Sequence, residues 1–542
     1  MRAVMLGLIG ALAASAAMGQ GSGPVAHVQD GALRGEITDG VAGFKGVPFA
    51  APPVGELRWR APQPAKPWSG VRDATAFGPA CAQAAMGWND NIAKTSREDC
   101  LYLNVWTPAR AKPDAHPLPV MVFLPGGAFH GGGAAGSSMI EPSYDGQRLA
   151  KRGVVVVSVN YRLGLFGFLA HPELTAESPD HASGAYAFLD QIAALQWVKA
   201  NIAAFGGDPT NVTLMGQSAG AASVGYLMTS PLAHGLFEKA ILHSGVAIRV
   251  DEKPLAAAEA DGARLADALL GARHGAGAVA ALRQRSAEDL LTALRATPEL
   301  RRAEPHSQII DGYVLPESPA AVFQAGREVR IPMLIGLTAR DGDDTMGVKG
   351  SVKADAAAAD AARPLAGSRT PAPLKSDDAK AVQDFYARYP DLAAEAGRLY
   401  ANATDPVGGD AAIVFGTDVY RRCGAALVAR WHARRAPTWR FEFSHGYEPL
   451  GATHLWDMMY LFGWLEPPAD QPRDARLVDQ MQRYWTNFAK RGDPDGVGLP
   501  AWPRSGRGHY LDFASAGAVV RASTHAAACD LYARKIQRDL AH

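Results

Sequence analysis

Short, continuous apolar runs recur along the middle of the chain and alternate with longer, partly polar segments. The runs occupy residues 120–124, 154–159, 212–215, 239–243, 332–337 and 439–443. Runs of this length predict strands, and strands without polar positions are typical of a sheet that is covered on both faces. Residues 185–205 carry apolar side chains at roughly helical spacing. The alternation therefore predicts an α/β fold, a mostly parallel sheet with helices on both sides.

The chain outside these runs has other patterns. Residues 25–50 alternate short apolar runs with Gly and Asp, which is typical of an antiparallel meander, and residues 98–106 predict a further strand. Residues 251–300 are rich in Ala and Leu, and we expect helices there that form part of a lid. Residues 347–375 predict a long surface excursion, because they are rich in Ala, Asp and Pro. The strand series continues on both sides of this excursion, so it is not a domain boundary.

The N-terminus has the pattern of a targeting segment. A basic residue precedes the apolar residues 3–17, which have the length of a signal-peptide core and are short for a membrane span. Residues 17–19 fit the small-x-small cleavage rule, so residues 1–19 are predicted to be a signal peptide, with an N-terminal anchor helix as the alternative. We therefore expect an exported protein, periplasmic or secreted, with one domain over residues 20–542 and no membrane span.

Charge and composition exclude some classes of function. The 542 residues include 54 Lys and Arg and 54 Asp and Glu, which gives a formal net charge of zero. A balanced chain offers no basic surface of the kind that binds nucleic acid or anionic lipid. Hydrophobic residues make up 48% of the chain, enough for a large core. We therefore expect a globular protein with no nucleic-acid partner.

Four cysteines are present, and none forms a C-x-x-C pair, so we expect no metal site. An even number of cysteines in an exported chain favours disulfides. Three pairings are open. The pairing of Cys81 with Cys100 is favoured because it closes a short loop, and it leaves Cys423 with Cys529.

The apolar run at 212–215 leads into a Gly-x-Ser-x-Gly sequence at residues 216–220, which Ala-rich, helix-forming sequence follows. Between a strand and a helix this pattern predicts a nucleophile elbow, a tight turn that lifts the serine above the end of the sheet. A lone copy of the pattern also occurs in ordinary turns, so the flanking strand and helix carry the prediction. Ser218 is the candidate nucleophile.

Small residues follow the strand predicted at 120–124, in the sequence Pro-Gly-Gly-Ala at 125–128. Such a run leaves backbone N–H groups free to point into a cleft. Ester hydrolysis builds negative charge on the carbonyl oxygen, and N–H groups aimed at that oxygen stabilise it. The predicted donors are Gly127 and Ala128, together with Ala219 directly after the nucleophile; a plain glycine-rich loop is the alternative.

A serine nucleophile needs a base, and histidine suits that role near neutral pH. His454 follows the last predicted strand, where a chain order of Ser, acid and His places the base. His130 and His243 also lie close to strand ends and are the main competitors, while His306 is a candidate cleft residue of unknown role.

The acid is expected after the strand at 332–337, where Asp341, Asp343 and Asp344 compete. Asp341 is preferred because Gly342 permits a tight turn that aims the carboxylate inward. The other two aspartates are more simply interpreted as a solvated acidic turn. The sequence therefore predicts a triad of nucleophile, base and acid in the order typical of elbow enzymes.

These stretches resemble the type B carboxylesterases, the α/β-hydrolase group that includes cholinesterases and bacterial esterases. Residues 205–220 are similar to the nucleophile signature of that family, and residues 98–105 are similar to its second signature. The resemblance implies an α/β-hydrolase fold with helical lid insertions, with His454 as base and Asp341 as acid. It also implies the same cysteine pairings.

The chain departs from the family pattern at several positions. Asp341 stands where the family usually has glutamate, so the turn must move inward to compensate, or Asp343 takes the role. Gln217 replaces a common glutamate, and the lost charge disfavours a cationic substrate. Ala128 replaces a glycine of the oxyanion loop. Trp88 resembles a residue that lines the gorge of cholinesterases, so Trp88 and Gln217 are candidate pocket residues, with simple packing as the alternative for Trp88.

The predicted function is a serine carboxylesterase that hydrolyses carboxylic esters through an acyl-enzyme on Ser218. A small-molecule ester is the expected partner, and no metal or organic cofactor is expected. One alternative is a specialised hydrolase of bulky esters, such as polyester-derived or mycotoxin esters. A second alternative is a hydrolase of amides, thioesters or lactones, because these reactions use the same catalytic machinery. A remote alternative is a non-catalytic binding homologue.

Overall fold

The structure is a computed structural model of the chain. The described residues are 23–110, 116–136, 144–246, 248, 252–271, 275–342, 376–401, 403, 409, 411–446, 451–463, 472–506 and 508–541. The predicted signal peptide, the excursion at 347–375, Asp343 and Asp344 all lie outside the described residues.

Strands in the described part of the chain build one large sheet and two small ones. They are β1 (Val25–Val28), β2 (Gly31–Arg34), β3 (Glu36–Thr38), β4 (Val41–Pro48), β5 (Val71–Asp73), β6 (Tyr102–Pro108), β7 (Leu118–Leu124), β8 (Val155–Val159), β9 (Gly207–Gln217), β10 (Lys239–His243), β11 (Lys253–Pro254), β12 (Ile309–Ile310), β13 (Met333–Thr338), β14 (Thr438–Phe443), β15 (His509–Ala514) and β16 (Gly517–Ala522). Each of the six apolar runs coincides with one strand of the large sheet, as predicted.

The large sheet contains eleven of the described strands, in the order β16-β15-β14-β13-β10-β9-β7-β8-β6-β4-β3. Every neighbouring pair from β15 to β8 is parallel. The edges are antiparallel, formed by β16 on one side and by β6, β4 and β3 on the other. The α/β-hydrolase fold, with its mostly parallel sheet, is therefore confirmed.

Helices cover the sheet. They are α1 (Asp90–Thr95), α2 (Gln147–Ala150), α3 (Gly164–Phe168), α4 (Pro172–Glu177), α5 (Tyr186–Asn201), α6 (Ala219–Thr229), α7 (Leu255–Leu270), α8 (Ala278–Arg283), α9 (Ala287–Ala296), α10 (Pro298–Ala303), α11 (Pro319–Ala325), α12 (Ser376–Tyr386), α13 (Pro390–Tyr400), α14 (Ala411–Thr417), α15 (Cys423–His432), α16 (Trp456–Phe462), α17 (Pro472–Arg491) and α18 (Ala526–Asp539). The helices expected in 251–300 are thus present. Within the described ranges, none of them combines the length and apolar character that crossing a membrane requires.

The central strand β7 shows why its sequence carries no polar alternation. Val120 and Val122 point to a core cluster that contains Leu195 of α5. Met121 and Phe123 point to the opposite face, into a cluster that includes aromatic and aliphatic residues of α17. Because side chains alternate between two buried faces, every position of the strand is apolar. This packing holds the strands in place, so that their carboxyl ends form the edge of the sheet where the site lies.

Both predicted disulfides are present, Cys81–Cys100 and Cys423–Cys529, and they span 19 and 106 residues of sequence. We expect the Cys423→Ser/Cys529→Ser double variant to lose up to about 5 kcal/mol of stability. The Cys81→Ser/Cys100→Ser double variant should lose up to about 3 kcal/mol, because the shorter loop constrains the unfolded chain less. Urea titration followed by tryptophan fluorescence measures both. Equal unfolding midpoints for the two double variants and the parent would contradict this expectation.

Candidate active site

Ser218 lies at the tight turn between β9 and α6. Its backbone has φ 55° and ψ −122°, a strained conformation for a residue with a side chain. No side chain fits at the flanking glycines: a Cβ on Gly216 would lie 2.3 Å from the carbonyl carbon of Gly220, and one on Gly220 would lie 2.0 Å from the carbonyl oxygen of Leu124. The Ser218 N–H donates to the carbonyl of His243 at 2.8 Å. The turn therefore holds a half-buried hydroxyl above the sheet.

The loop after β7 lies against this turn and has an unusual backbone. Gly127 has φ 124°, and the next two residues, Ala128 and Phe129, have φ 53° and 61° although they are not glycines. The loop closes on itself where the His130 N–H donates to the Gly127 carbonyl at 3.0 Å. No hydrogen bond between described residues uses the N–H groups of Gly127, Ala128 or Ala219. These three groups are thus available to a ligand oxygen.

Residues inside the Cys81–Cys100 loop support the glycine-rich segment that follows. The Gln83 side chain donates to the Gly132 carbonyl and accepts from its N–H, both at 2.8 Å. Asn89, fully buried, donates to Gln83 at 3.0 Å. The tip of the Trp88 ring packs on the loop, since a Cβ on Gly131 would lie 2.9 Å from it. The sequence did not predict a role for Gln83 and Asn89. The one feature that could have indicated it is that both are polar residues inside a loop closed by a disulfide.

His454 and Asp341 meet at the carboxyl ends of β14 and β13. Nδ1 of His454 lies 2.5 Å from Oδ1 of Asp341, and the side chains are 8% and 0% exposed. The other carboxylate oxygen accepts the Thr338 N–H at 3.1 Å. Burial alone would raise the pKa of the Asp341 carboxyl, but His454, and to a smaller extent Arg421 and the Ser244 hydroxyl, lower it to about 2. A charged Asp341 requires a proton on Nδ1 of His454, which leaves Nε2 as the acceptor.

Gln217 lies beside that acceptor. Its side-chain nitrogen is 3.2 Å from Nε2 of His454, and the residue is fully buried. Its Oε1 has no hydrogen-bond partner among the described residues. Nε2 of His454 thus contacts the residue that directly precedes Ser218. Gln217 contacts the imidazole itself, a position the sequence did not indicate.

His243, one competitor for the role of base, is committed elsewhere. It is fully buried, and its Nδ1 lies 2.7 Å from a carboxylate oxygen of Asp457. Its Nε2 accepts a hydrogen bond from the Trp485 indole at 2.8 Å. Because both ring nitrogens are bonded, His243 has none left to accept a proton from Ser218. Its carbonyl accepts the Ser218 N–H.

His130, the second competitor, belongs to a separate cluster. Its Nδ1 lies 3.3 Å from the buried carboxylate of Glu304. Its ring stacks against His306 at 4.1 Å between centroids, so the residue that the sequence left without a role packs here. Arg295 contacts the same carboxylate at 3.2 Å. The structure therefore associates His130 with Glu304, whereas Asp341 is associated with His454.

Comparisons with known proteins find similarity along nearly the whole chain. The model of the carboxylesterase family matches residues 22–532. Fumonisin B1 esterase of Sphingopyxis macrogoltabida is 36% identical over 517 residues, which cover 91% of this chain and 86% of that protein. Carboxylesterase 4A of Bos taurus is 34% identical and covers 89% of each chain. A solved Geobacillus stearothermophilus carboxylesterase superposes with a TM-score of 0.75 at 32% identity, covering 94% of this chain and 99% of that one.

Proposed function

Since the chain belongs to the carboxylesterase family and is a carboxylic ester hydrolase, we propose that Ser218, His454 and Asp341 are its catalytic triad. One observation carries this assignment. The 2.5 Å contact between Asp341 and Nδ1 of His454 leaves Nε2 facing the turn that presents Ser218. Under this proposal, a nucleophile, a base and an acid for acyl transfer come from three different strand ends.

The reaction has two steps. Nε2 of His454 takes the hydroxyl proton as Ser218 attacks the ester carbonyl, and the N–H groups of Gly127, Ala128 and Ala219 donate to the oxyanion. The alcohol leaves with the proton from His454. Water then attacks the acyl-enzyme by the same route and releases the acid. Each oxyanion donor contributes about 3–4 kcal/mol to the transition state.

Asp341 and Gln217 act on the two sides of the His454 ring. Asp341 fixes the tautomer with Nδ1 protonated and stabilises the imidazolium that forms. The Gln217 amide, 3.2 Å from Nε2, gives way to the Ser218 hydroxyl when an ester is bound. Because Gln217 carries no charge, it provides no attraction for a cationic alcohol group. We therefore expect no preference for choline-like esters over neutral ones.

A specialised, bulky ester is the second candidate substrate. The relative that is 36% identical is a fumonisin B1 esterase, which supports this reading. Trp88, half-buried against the oxyanion loop, is the candidate wall of the alcohol pocket. A panel of esters that varies acyl length and alcohol size separates the two candidates, because a general esterase prefers short p-nitrophenyl esters and a specialised one prefers the bulky members.

The protein is proposed to be exported. The pattern of residues 1–19 supports a cleaved signal peptide, and the two disulfides are compatible with an oxidising compartment such as the periplasm or the extracellular medium. Residues 20–542 then form the mature enzyme, a single hydrolase domain. N-terminal sequencing of the protein purified from a culture of its producer tests the cleavage site.

A fluorophosphonate ester tests the proposed nucleophile directly. We expect one probe per chain, attached to Ser218, and loss of p-nitrophenyl butyrate hydrolysis in proportion to labelling, because the activated hydroxyl attacks phosphorus as it attacks a carbonyl. Peptide mass spectrometry locates the adduct, and heat-unfolded protein, which is expected to remain unlabelled, is the control. An adduct on another residue, or complete inhibition without an adduct on Ser218, would refute the assignment.

A further inference from the structure

A π-helical turn, Asp418–Arg422, packs against the loop that carries Asp341. The turn joins α14 to α15. π-Helical turns are rare and occur frequently at functional sites. The residue before the turn and the last residue of the turn both hold the acid loop. The hydroxyl of Thr417 accepts the Gly342 N–H at 2.8 Å, and Arg422 donates to the Ala339 carbonyl at 3.3 Å.

The same turn presents a second arginine to the carboxylate itself. Nε of Arg421 lies 3.6 Å from Oδ1 of Asp341, the oxygen that also contacts His454. This nitrogen has no hydrogen-bond partner among the described residues. Nη1 of Arg421 is anchored to the carbonyl of Tyr420 at 3.0 Å, which orients the guanidinium. Arg421 thus approaches the triad acid without being committed to another carboxylate in the described chain.

The other charges around the acid loop are paired with different partners. Arg422 is neutralised by Asp418 at 2.5 Å and Glu442 at 3.1 Å. Asp457, on the helix after His454, is bonded to His243. Arg340 is buried next to the acid and has its own interactions. The charged groups that act directly on the Asp341 carboxylate are therefore His454 and Arg421.

We infer that Arg421 is a positioning residue of the triad: it orients the Asp341 carboxylate and offsets part of its charge, so that its loss changes the pH dependence of the reaction. This inference rests on the proposed triad. Asp341 favours the imidazolium form of His454, and a positive charge beside Asp341 opposes that preference. The arginine also restrains a carboxylate that is one methylene shorter than the usual glutamate.

Profiles of kcat/KM against pH for a short p-nitrophenyl ester test the role. For Arg421→Gln we expect the midpoint of the acid limb to rise by about 0.5 pH unit, a small shift because the Arg421 side chain is 30% exposed and solvent screens its charge. We also expect kcat at the plateau to fall about 3–10-fold with KM unchanged, since the effect acts on the base and not on binding. Arg421→Lys restores the charge and should return the midpoint to that of the parent.

Arg430→Gln is the matched control. Arg430 lies on the following helix in an exposed pair with Asp530 at 3.5 Å, so its loss should move neither the midpoint nor kcat. Arg421→Met covers the case in which Arg421→Gln does not fold. An unchanged or lowered midpoint in a folded neutral variant, or an Arg421→Lys midpoint equal to that of Arg421→Gln, overturns the inference. Ser218→Ala, measured in the same assay, separates this inference from the proposed triad. If Ser218→Ala is inactive, the triad stands even where the role of Arg421 is refuted. If Ser218→Ala is active, the triad itself is refuted.

Discussion

Ser218→Ala is expected to abolish ester hydrolysis, with a fall in kcat of about 10⁴-fold or more, while the protein stays folded. The oxyanion donors and the pocket remain, so a trace of catalysis above the background survives. The substitution removes one oxygen from a half-buried side chain and leaves the strained backbone of the elbow in place. Initial rates with p-nitrophenyl acetate and butyrate measure the loss, and circular dichroism with thermal unfolding confirms the fold.

Ser223→Ala is the control for this change. Ser223 lies on the same helix, is buried, and accepts a hydrogen bond from Gln191 at 3.0 Å. We expect this variant to keep its activity and to lose about 1–2 kcal/mol of stability, because a buried donor is left unpaired. Turnover in Ser218→Ala close to that of the parent would move the nucleophile elsewhere in the chain.

Asp341→Asn is expected to reduce kcat by about 10³–10⁴-fold with little change in KM. In this variant the Thr338 N–H retains the amide oxygen, so the amide nitrogen faces Nδ1 and cannot accept its proton. The imidazole then adopts the tautomer whose Nε2 carries hydrogen and cannot act as a base. The pKa of the Asp341 carboxyl is about 2, so the parent carboxylate is charged throughout the assay range. The deficit should therefore persist between about pH 5 and about pH 9, without recovery on the acid side.

Asp343→Asn is the discriminating control, since Asp343 competes for the same role in the sequence. We expect near-parental rates from it, and the reverse ranking of the two variants would assign the acid to Asp343.

Asp341 also affects how the stability of the fold depends on pH. Because its folded pKa is below the ordinary value of about 4, the carboxylate stabilises the fold above that pH, and this contribution is lost as the pH falls towards 2. Asp341→Asn should accordingly narrow the difference in stability between pH 7 and pH 3.

The sequence predicted the parts of the molecule that depend on local pattern. Every position of β8, and every position of β7 after Leu118, is buried, so their apolar runs alone identified central strands. The motif at 216–220 identified the elbow, because steric limits at two glycines act within five residues of chain. Chain order then pointed to the loops after β13 and β14, from which the structure brings Asp341 and His454 into contact.

Other parts depend on contacts between distant segments, which no local pattern encodes. The π-helical turn at Asp418–Arg422 adjoins the acid loop although 75 residues separate Thr417 from Gly342. The contact between Gln217 and His454 spans 237 residues. The terminal hairpin of β15 and β16 was also overlooked, because its partly exposed, partly charged sequence resembles a surface loop. Such features follow from packing once the sheet has formed.

The strained backbone around the site has a consequence for protein engineering. Among the eight non-glycine residues with positive φ in the described chain, Ala128, Phe129, Ser218, Ser244 and Leu455 adjoin the nucleophile, the oxyanion loop or the base. Each such residue costs about 1–3 kcal/mol of folding free energy. A laboratory selection for heat tolerance alone would therefore favour glycine at Ala128 or Ser218, which are not buried in the core, and so relax or remove the geometry that turnover needs. Screens for thermostable variants of this enzyme should score rate and melting temperature together.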